Sequence, residues 1–474
     1  MLIVLWTVVV HGAFIASTVL ASTPVSLFLF GDSPVYFEEA RRLALGLEPL
    51  HGGLPYHPPL TAWLLVPLWW IFKAAGGAYL AAKLLMAALS GVTYGLFYRL
   101  IRGRVPAALL ICLLMPLSFG EIALASAVSN EVPYRLLLLL IVLLGFRRPV
   151  VAGILHGAAA LTRAEHLPLA VLLLAIGLAR PKWRRFAALA AAGGAIVLVP
   201  HLLFTARAIA NYNHRYAAEL PAPLPVVVPV SYYGPLNFAL AQREAGIFFS
   251  RRSLPPPPGE LQALDPTFAP HNDLIVHGYA RGLATILEAP GRFALRTAAR
   301  IGHSLRAIGL GWTWRALPLG SWGDPDLEVT WVRQPVDIAY AEGPWPVTSG
   351  QLGLSLAMII LGAWTLRGER IFLSVGFALL AYRLAVNAAF FPYLRGLLVV
   401  SPFLVSLFFA GVGALLGRFT GRALAALLVL LGLYHLATVG GDHRILLAGE
   451  RTPDGRIIDD RRVEIKLAAT DGGR

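Results

Sequence analysis

A carboxylate at the mouth of an apolar run is the first group in this chain with the makings of chemistry. Asp32 sits in "FGDSPVYFEEARRL", directly after the first long apolar stretch and directly before a charged amphipathic segment. Pro34 fits the first position of a helix and Ser33 the cap before it, so Asp32 is not needed for capping. Two readings stay open for Asp32. It is either a solvated interfacial acid or alternative cap, or a base that takes a proton from a hydroxyl group where water still reaches. The following helix is expected to run to about Leu47 along a membrane surface. Tyr36, Ala40, Leu43 and Leu47 share one face, and Glu38, Glu39, Arg41 and Arg42 lie on or beside the other.

Further polar motifs are expected on the same side of the membrane. "HGGLPYHPPL" carries His51, Tyr56 and His57, and "ALASAVSNEVPYR" carries Asn130 and Glu131. "LTRAEHLP" supplies Arg163, Glu165 and His166 at a turn between two short spans, and "FFPYLRG" supplies Tyr393 and Arg395. Each has a plain structural account alone: a snorkelling arginine, an Arg163–Glu165 pair, a helix-start histidine. Together they describe the rim of an external cavity beside a surface helix. Arginine forks there suit phosphate oxygens, so the rim fits a lipid-linked anionic substrate with its tail in the bilayer.

The elements that must position these residues follow from composition. Of 474 residues, 57% are hydrophobic and only 14% charged, and the mean hydropathy is +0.67. A water-soluble domain carries about a quarter charged residues. Repeated apolar runs of roughly 17–25 residues are each able to span a bilayer as a helix. The expected fold class is therefore an all-α polytopic membrane protein. The net charge of +14 does not point to nucleic acid, because the basic residues fall in alternate short loops. Arg102 and Arg104, Arg147 and Arg148, the group from Arg180 to Arg185, Arg367 and Arg370, and Arg418 and Arg422 form a positive-inside pattern.

Spans are expected near Leu2–Leu20, Tyr79–Ile101, Val105–Phe119, Val132–Phe146, Val150–Leu161, Leu167–Ala179, Phe186–Ala206, Gly350–Leu366, Ile371–Phe390, Leu397–Leu416 and Ala423–Val439. That makes about 11, with the N-terminus inside. The Trp-rich segment 59–76 holds Pro67 and ends at Lys73; crossing there would invert every later basic loop, so it reads as interfacial or re-entrant. The chain divides into an N-terminal transmembrane catalytic module, 1–210, whose first external loop is 28–78, then an external loop region, 211–349. C-terminal transmembrane helices, 350–440, and a small tail, 441–474, complete it. Within the long loop, proline-rich stretches favour extended backbone, and a basic amphipathic stretch reads as a helix pair broken at Pro290. The tail reads as a β-hairpin turning at Pro453, Asp454 and Gly455. Cys112, the single cysteine, excludes an intramolecular disulfide. The N-terminal run reads as a retained signal anchor, with small residues around Ala21 leaving cleavage as an alternative.

An acid after span one, a surface helix and "YHPPL" are followed by "GAAALTRAEHLPLAVLLL", "VPHLLFTARAIANY", "YYGPLNFALAQREAG", "ATILEAPGRFALRTAARI" and "FPYLRGLLVVSPFLVSLFFAG". This order, over most of residues 1–440, resembles the bacterial GT-C glycosyltransferases related to protein O-mannosyltransferases and the aminoarabinose lipid A transferase. The resemblance implies transfer of a sugar from a polyprenyl-phosphate donor to a glycan, lipid or protein acceptor outside the bacterial cytoplasmic membrane, usually with inversion. It also implies residue roles. Asp32 matches the catalytic acid of the first loop and Tyr36 the aromatic after it. Tyr56 and His57 match an aromatic and a polar residue before proline, Glu131 an acid opening a span, and Arg163 and Arg395 basic positions. Ser33 stands where many relatives have a second acid, and "YHPP" lacks a lysine that the lipid A transferase has nearby.

On that footing Asp32 is the expected general base. Arg163 and Arg395 stabilise the leaving phosphate, with Tyr36, Tyr56 and His57 on the donor side. Asn130, Glu131 and Glu165 line the pocket. No cofactor is called for, and a divalent metal at His57 is left open. The expected partners are the lipid-linked sugar donor, the acceptor and the bilayer, with no nucleic acid. Two rivals stand beside this reading. One is a transporter or flippase of lipid-linked or anionic solutes, for which Lys83 and Arg383 inside spans would count. The other is a non-catalytic partner in envelope polysaccharide assembly.

Overall fold

The computed structural model describes residues 1–20, 33–47, 49, 53–73, 75–117, 119–126, 128–145, 147–243, 265–310, 349–391, 397, 399–430 and 433. Helices form nearly all of it, and no strand occurs among the described residues. Among the described residues four helices are long and apolar enough to cross a membrane: Gly77–Ile101, Pro181–Arg215, Arg370–Ala389 and Ser401–Leu430. On the second of these, Ile196, Val199, Leu203 and Phe204 are exposed on the protein's surface. Such side chains need lipid as their solvent, and the chain is a helical membrane protein.

Helix α1, Leu2–Leu20, packs on α4, Ala75–Ile101. Between them in sequence lie α2, Ser33–Ala44, and α3, Leu60–Phe72, which pack on each other, with α3 also against α4. At about 1.5 Å per residue the 13 residues of α3 reach only about 20 Å, short of a 30 Å hydrocarbon core. The chain turns back at Lys73, whose φ is 53°.

Helix α2 departs from expectation at both ends. It begins at Ser33, which moves the capping position to residue 32, outside the described residues. It stops at Ala44, and Leu47 is exposed. Its buried face is formed by Tyr36, Phe37, Ala40 and Arg41: Tyr36 and Ala40 lie on it as expected, whereas Leu43 is half-buried and Leu47 exposed. Arg41 is buried because it folds back on Glu38, donating from Nε and Nη2 at 2.8 and 2.9 Å.

The span expected over 105–119 is divided. Helix α5, Ala108–Leu114, passes into a tight turn, Met115–Leu117, and α6 then runs Phe119–Ser126. Pro116 has no N–H to offer in the i→i+3 pattern of that turn, which leaves carbonyls needing donors where water is scarce. Helix α1 supplies them: Trp6 Nε1 donates to the Leu113 carbonyl at 2.8 Å, and His11 Nε2 to that of Pro116 at 3.1 Å.

Helices α7, Glu131–Leu144, and α8, Pro149–Thr162, form a hairpin. A short turn joins α8 to α9, His166–Ala179, and α10 follows over Arg184–Arg215. Helices α8 and α10 approach backbone to backbone. A Cβ at Gly153 would collide with the Ala190 carbonyl, and one at Gly193 with that of Val150, so only glycine fits this crossing.

In the long loop, α11, Tyr233–Arg243, packs on α12, Ala269–Glu288. Helix α13, Pro290–Leu310, begins at the expected Pro290 break. Helices α14, Ser349–Thr365, α15, Arg370–Ala389, and α16, Ser401–Leu416, follow, and the chain stays helical through residue 430; α14 packs on α16 and α13 on α15. The expected β-hairpin around Pro453 lies outside the described residues.

Candidate functional site

The site grows from the turn between α8 and α9. Helix α8 ends at Thr162, and Arg163 takes extended backbone angles, φ −143° and ψ 116°, which throws its side chain out of the helical path. Glu165 precedes the first residue of α9 but makes no capping hydrogen bond with its side chain, which is therefore available for other partners. Arg163 Nε donates to Glu165 Oε1 at 2.5 Å. Nη1 of the same arginine donates to Glu131 Oε1 and, at 3.2 Å, to Asn130 Oδ1. Ser129 Oγ donates to the other Glu131 oxygen. Asn130 Nδ2 in turn donates to the Tyr36 hydroxyl at 2.9 Å and to the Thr162 carbonyl at 3.4 Å. The turn is thereby tied to the start of α7 and to the amphipathic helix α2.

Helix α15 reaches the same turn from far along the chain. Arg383 Nη1 donates to Glu165 Oε1 at 2.7 Å, and the Tyr382 hydroxyl donates to the Glu165 carbonyl. One carboxylate oxygen therefore receives two guanidinium groups. Burial acts to raise the Glu165 pKa, but Arg163 and Arg383 outweigh it and hold the carboxyl down at about 2. For Arg163 burial alone would lower the pKa, and Glu165 and Glu131 reverse that, so it stays charged. Beside them the Tyr134 hydroxyl lies 3.0 Å from His166 Nδ1, and His166 Nε2 lies 2.9 Å from His156 Nδ1.

Tyr36, Asn130, Glu131, Arg163 and Glu165 are thus one hydrogen-bonded network. His57 joins its edge: its ring stands 5.7 Å from that of Tyr36 and 4.7 Å from that of Tyr233. Tyr56 is not brought to the network. It is buried among Leu54, Ile209, Leu224, Val228, Tyr232 and Ile275, where burial pushes its phenol pKa up. Asp32, His51, Tyr393 and Arg395 lie outside the described residues. Arg383, Tyr382, Tyr134 and His156 were not among the site residues expected from sequence. An arginine inside an apolar span was the signal for the first, since such a charge must find a partner.

A second buried cluster had no sequence expectation at all. Glu121 on α6 accepts from Arg135 Nη1 at 2.7 Å and from Ser401 Oγ at 3.2 Å, and from the Tyr94 hydroxyl on its other oxygen. Arg135 Nη2 also donates to the Tyr94 hydroxyl at 3.2 Å. Among the described residues no group of three or more His, Cys, Asp or Glu is placed to hold a metal ion.

No family model matches the chain, and no curated protein matches it significantly. Among solved structures, the crystal structure of the Archaeoglobus fulgidus oligosaccharyltransferase, tethered by a disulfide bond to an acceptor peptide containing the NVT sequon, is similar at 14% identity with a TM-score of 0.41. The similarity covers 94% of this chain and 56% of that one, so the chain spans little more than half of that protein's length. A likeness this weak carries neither fold nor function across.

Proposed function

We propose that this chain is a membrane glycosyltransferase of the GT-C type. It passes a sugar from a polyprenyl-phosphate donor to a glycan, lipid or protein acceptor on the external side of a bacterial cytoplasmic membrane, with inversion at the anomeric carbon. The observation that best supports this reading is the line of hydrogen bonds from Glu165 and Glu131 through Arg163 and Asn130 to Tyr36. It joins a phosphate-binding residue type to the amphipathic helix that follows Asp32 in the chain.

In the proposed step the acceptor oxygen bonds to the anomeric carbon while its proton passes to the Asp32 carboxylate. The bond from that carbon to the phosphate oxygen breaks, and its electron pair leaves with polyprenyl phosphate. Arg163 and Arg395 stabilise the charge that grows there through their guanidinium donors. Tyr36 and His57 hold the donor, and Asn130, Glu131 and Glu165 shape the pocket; Tyr56, packed into its own apolar cluster, supports the neighbouring loop instead. Glu131 and Glu165 both accept from Arg163, and a carboxylate held at about 2 is a weak base. Both points favour Asp32 as the base.

The test is release of polyprenyl phosphate from labelled polyprenyl-phosphate sugars by the purified chain. Asp32→Asn is expected to abolish transfer while the protein stays folded; near-normal transfer by that variant would sink the role. The transporter reading draws on Lys83, Glu121, Arg135 and Arg383, all buried in helices. It predicts uptake of solute into sealed vesicles with no release of polyprenyl phosphate.

A further inference from the structure

Glu165 is bound in the manner of a ligand. Its Oε1 takes one donor from Arg163 Nε at 2.5 Å and one from Arg383 Nη1 at 2.7 Å. Those arginines come from different elements, one from the α8–α9 turn and one from the middle of α15. Two guanidinium groups converging on one anionic oxygen is the geometry that also grips a phosphate oxygen. Arg383 offers more than Glu165 uses: the residue is 3% exposed, and its Nε is buried without a hydrogen-bond partner. A tetrahedral anion with more oxygens would satisfy that donor where a single carboxylate oxygen does not.

Glu165 is also built to leave. Its side chain is 24% exposed, against 4% for Arg383 and 1% for Glu131. Its side chain makes no capping hydrogen bond at the start of α9, so rotating it out forfeits none. The Tyr382 hydroxyl holds its backbone carbonyl, so the turn stays in place when the side chain moves. Arg163 keeps Glu131 and Asn130 as partners in either state. Charge also balances, since one carboxylate leaves and one phosphodiester charge arrives.

We infer that Arg163 and Arg383 form the phosphate site for a lipid-linked donor, and that Glu165 is its resident anion, closing the site until a phosphate displaces it. The identity of the incoming phosphate rests on the glycosyl-transfer reading; the gate itself does not. When the sugar–phosphate bond breaks, the phosphate gains a second charge between two arginines already in place. Their grip then strengthens as the reaction proceeds.

The experiment measures binding of farnesyl phosphate to the full chain in detergent, with farnesol and inorganic phosphate as parallel probes. A site closed most of the time by its own anion lowers apparent affinity by its closed fraction, so Glu165→Gln is expected to bind farnesyl phosphate about tenfold tighter than the unaltered chain. Arg383→Gln is expected to bind more weakly, the double variant to match it, and farnesol binding to stay unchanged throughout. A parallel gain for inorganic phosphate shows that the site reads phosphate itself; a gain for farnesyl phosphate alone shows that the tail is required. A folded Glu165→Gln that binds farnesyl phosphate no tighter than the unaltered chain overturns the gate. If that variant does not fold, Glu165→Asp, with its shorter reach, is expected to show a smaller gain, and equal or weaker binding overturns the gate in the same way. A gate that responds while no polyprenyl-phosphate sugar is turned over defeats only the glycosyl-transfer reading. Transfer that persists without any change in phosphate binding defeats only the gate.

Discussion

Helix α7 carries an acid–arginine cluster on each of its first two turns, and the two are assembled in opposite ways. Arg135 meets Glu121 and Tyr94, Glu121 also accepts from Ser401, and all four residues lie in helices. Both members of the pair have side chains 4% exposed, and both Glu121 oxygens are engaged. Four residues earlier Glu131 meets Arg163, but that arginine belongs to a turn and shares itself with Glu165, which is 24% exposed and shares itself with Arg383. A cluster sealed among helices gives an incoming ligand no way to its charges. A branched cluster hung on a turn, with a partly exposed carboxylate among its members, can exchange a partner. The difference teaches that burial of charge alone does not mark a site. A movable, partly exposed partner beside buried arginines does.

The largest expected effect breaks the closed cluster. Arg135→Met leaves Glu121 charged and uncompensated, at a cost of about 3–5 kcal/mol. This is read as a steep fall in the thermal unfolding midpoint in detergent, with the double variant Glu121→Gln/Arg135→Met recovering much of it. An unchanged midpoint in the single variant would erase the contrast between the clusters. Next comes Arg383→Gln in the branched cluster, where Glu165 keeps Arg163. Stability should fall less than for Arg135→Met, whereas the transfer rate should drop on the order of 10²–10³-fold, the loss typical of one preorganised donor. Equal losses of stability in both variants would make the clusters alike.

A smaller effect is expected from Tyr36→Phe. It removes one hydrogen bond to Asn130, worth about 0.5–1.5 kcal/mol. The transfer rate should fall several-fold at most, and no fall would detach α2 from the network. The smallest concerns pH. Arg163 and Arg383 hold the Glu165 carboxyl below its ordinary value of 4.5, at about 2, against the effect of burial. The stability it contributes is therefore complete above about 4.5 and is lost as pH falls toward about 2. Unfolding midpoints of the unaltered chain and of Glu165→Gln should differ by a constant amount from pH 5 to 8 and converge only under strong acid. A difference that changes near neutrality would show that another group governs the turn.

Much of this fold was legible because its signals are local. The Pro290 break appears where a ring without an N–H interrupts a helical pattern. The divided helix at Met115 was not, because Pro116 sits in an apolar run and its consequence depends on α1 supplying Trp6 and His11 from about a hundred residues away. The buried face of α2 keeps Tyr36 and Ala40 but adds Arg41 for a related reason. Arg41 folds onto Glu38 and so is buried with Tyr36 and Phe37, which a polarity pattern does not foresee.

The site divides along the same line. Sequence alone determined the membrane class, through hydropathy, and the motif residues Tyr36, Asn130, Glu131, Arg163 and Glu165, through the rarity of polar groups in apolar surroundings. It also anticipated the Arg163–Glu165 pair, since residues two apart across a helix break meet without help from the rest of the chain. Only the tertiary structure decided that Arg163 also holds Glu131, 32 residues away, and that Glu165 also holds Arg383, 218 residues away. Those partners are chosen by how α7, α8 and α15 pack. A buried charge must be paired, but hydropathy does not say with which of several distant charges, and packing does.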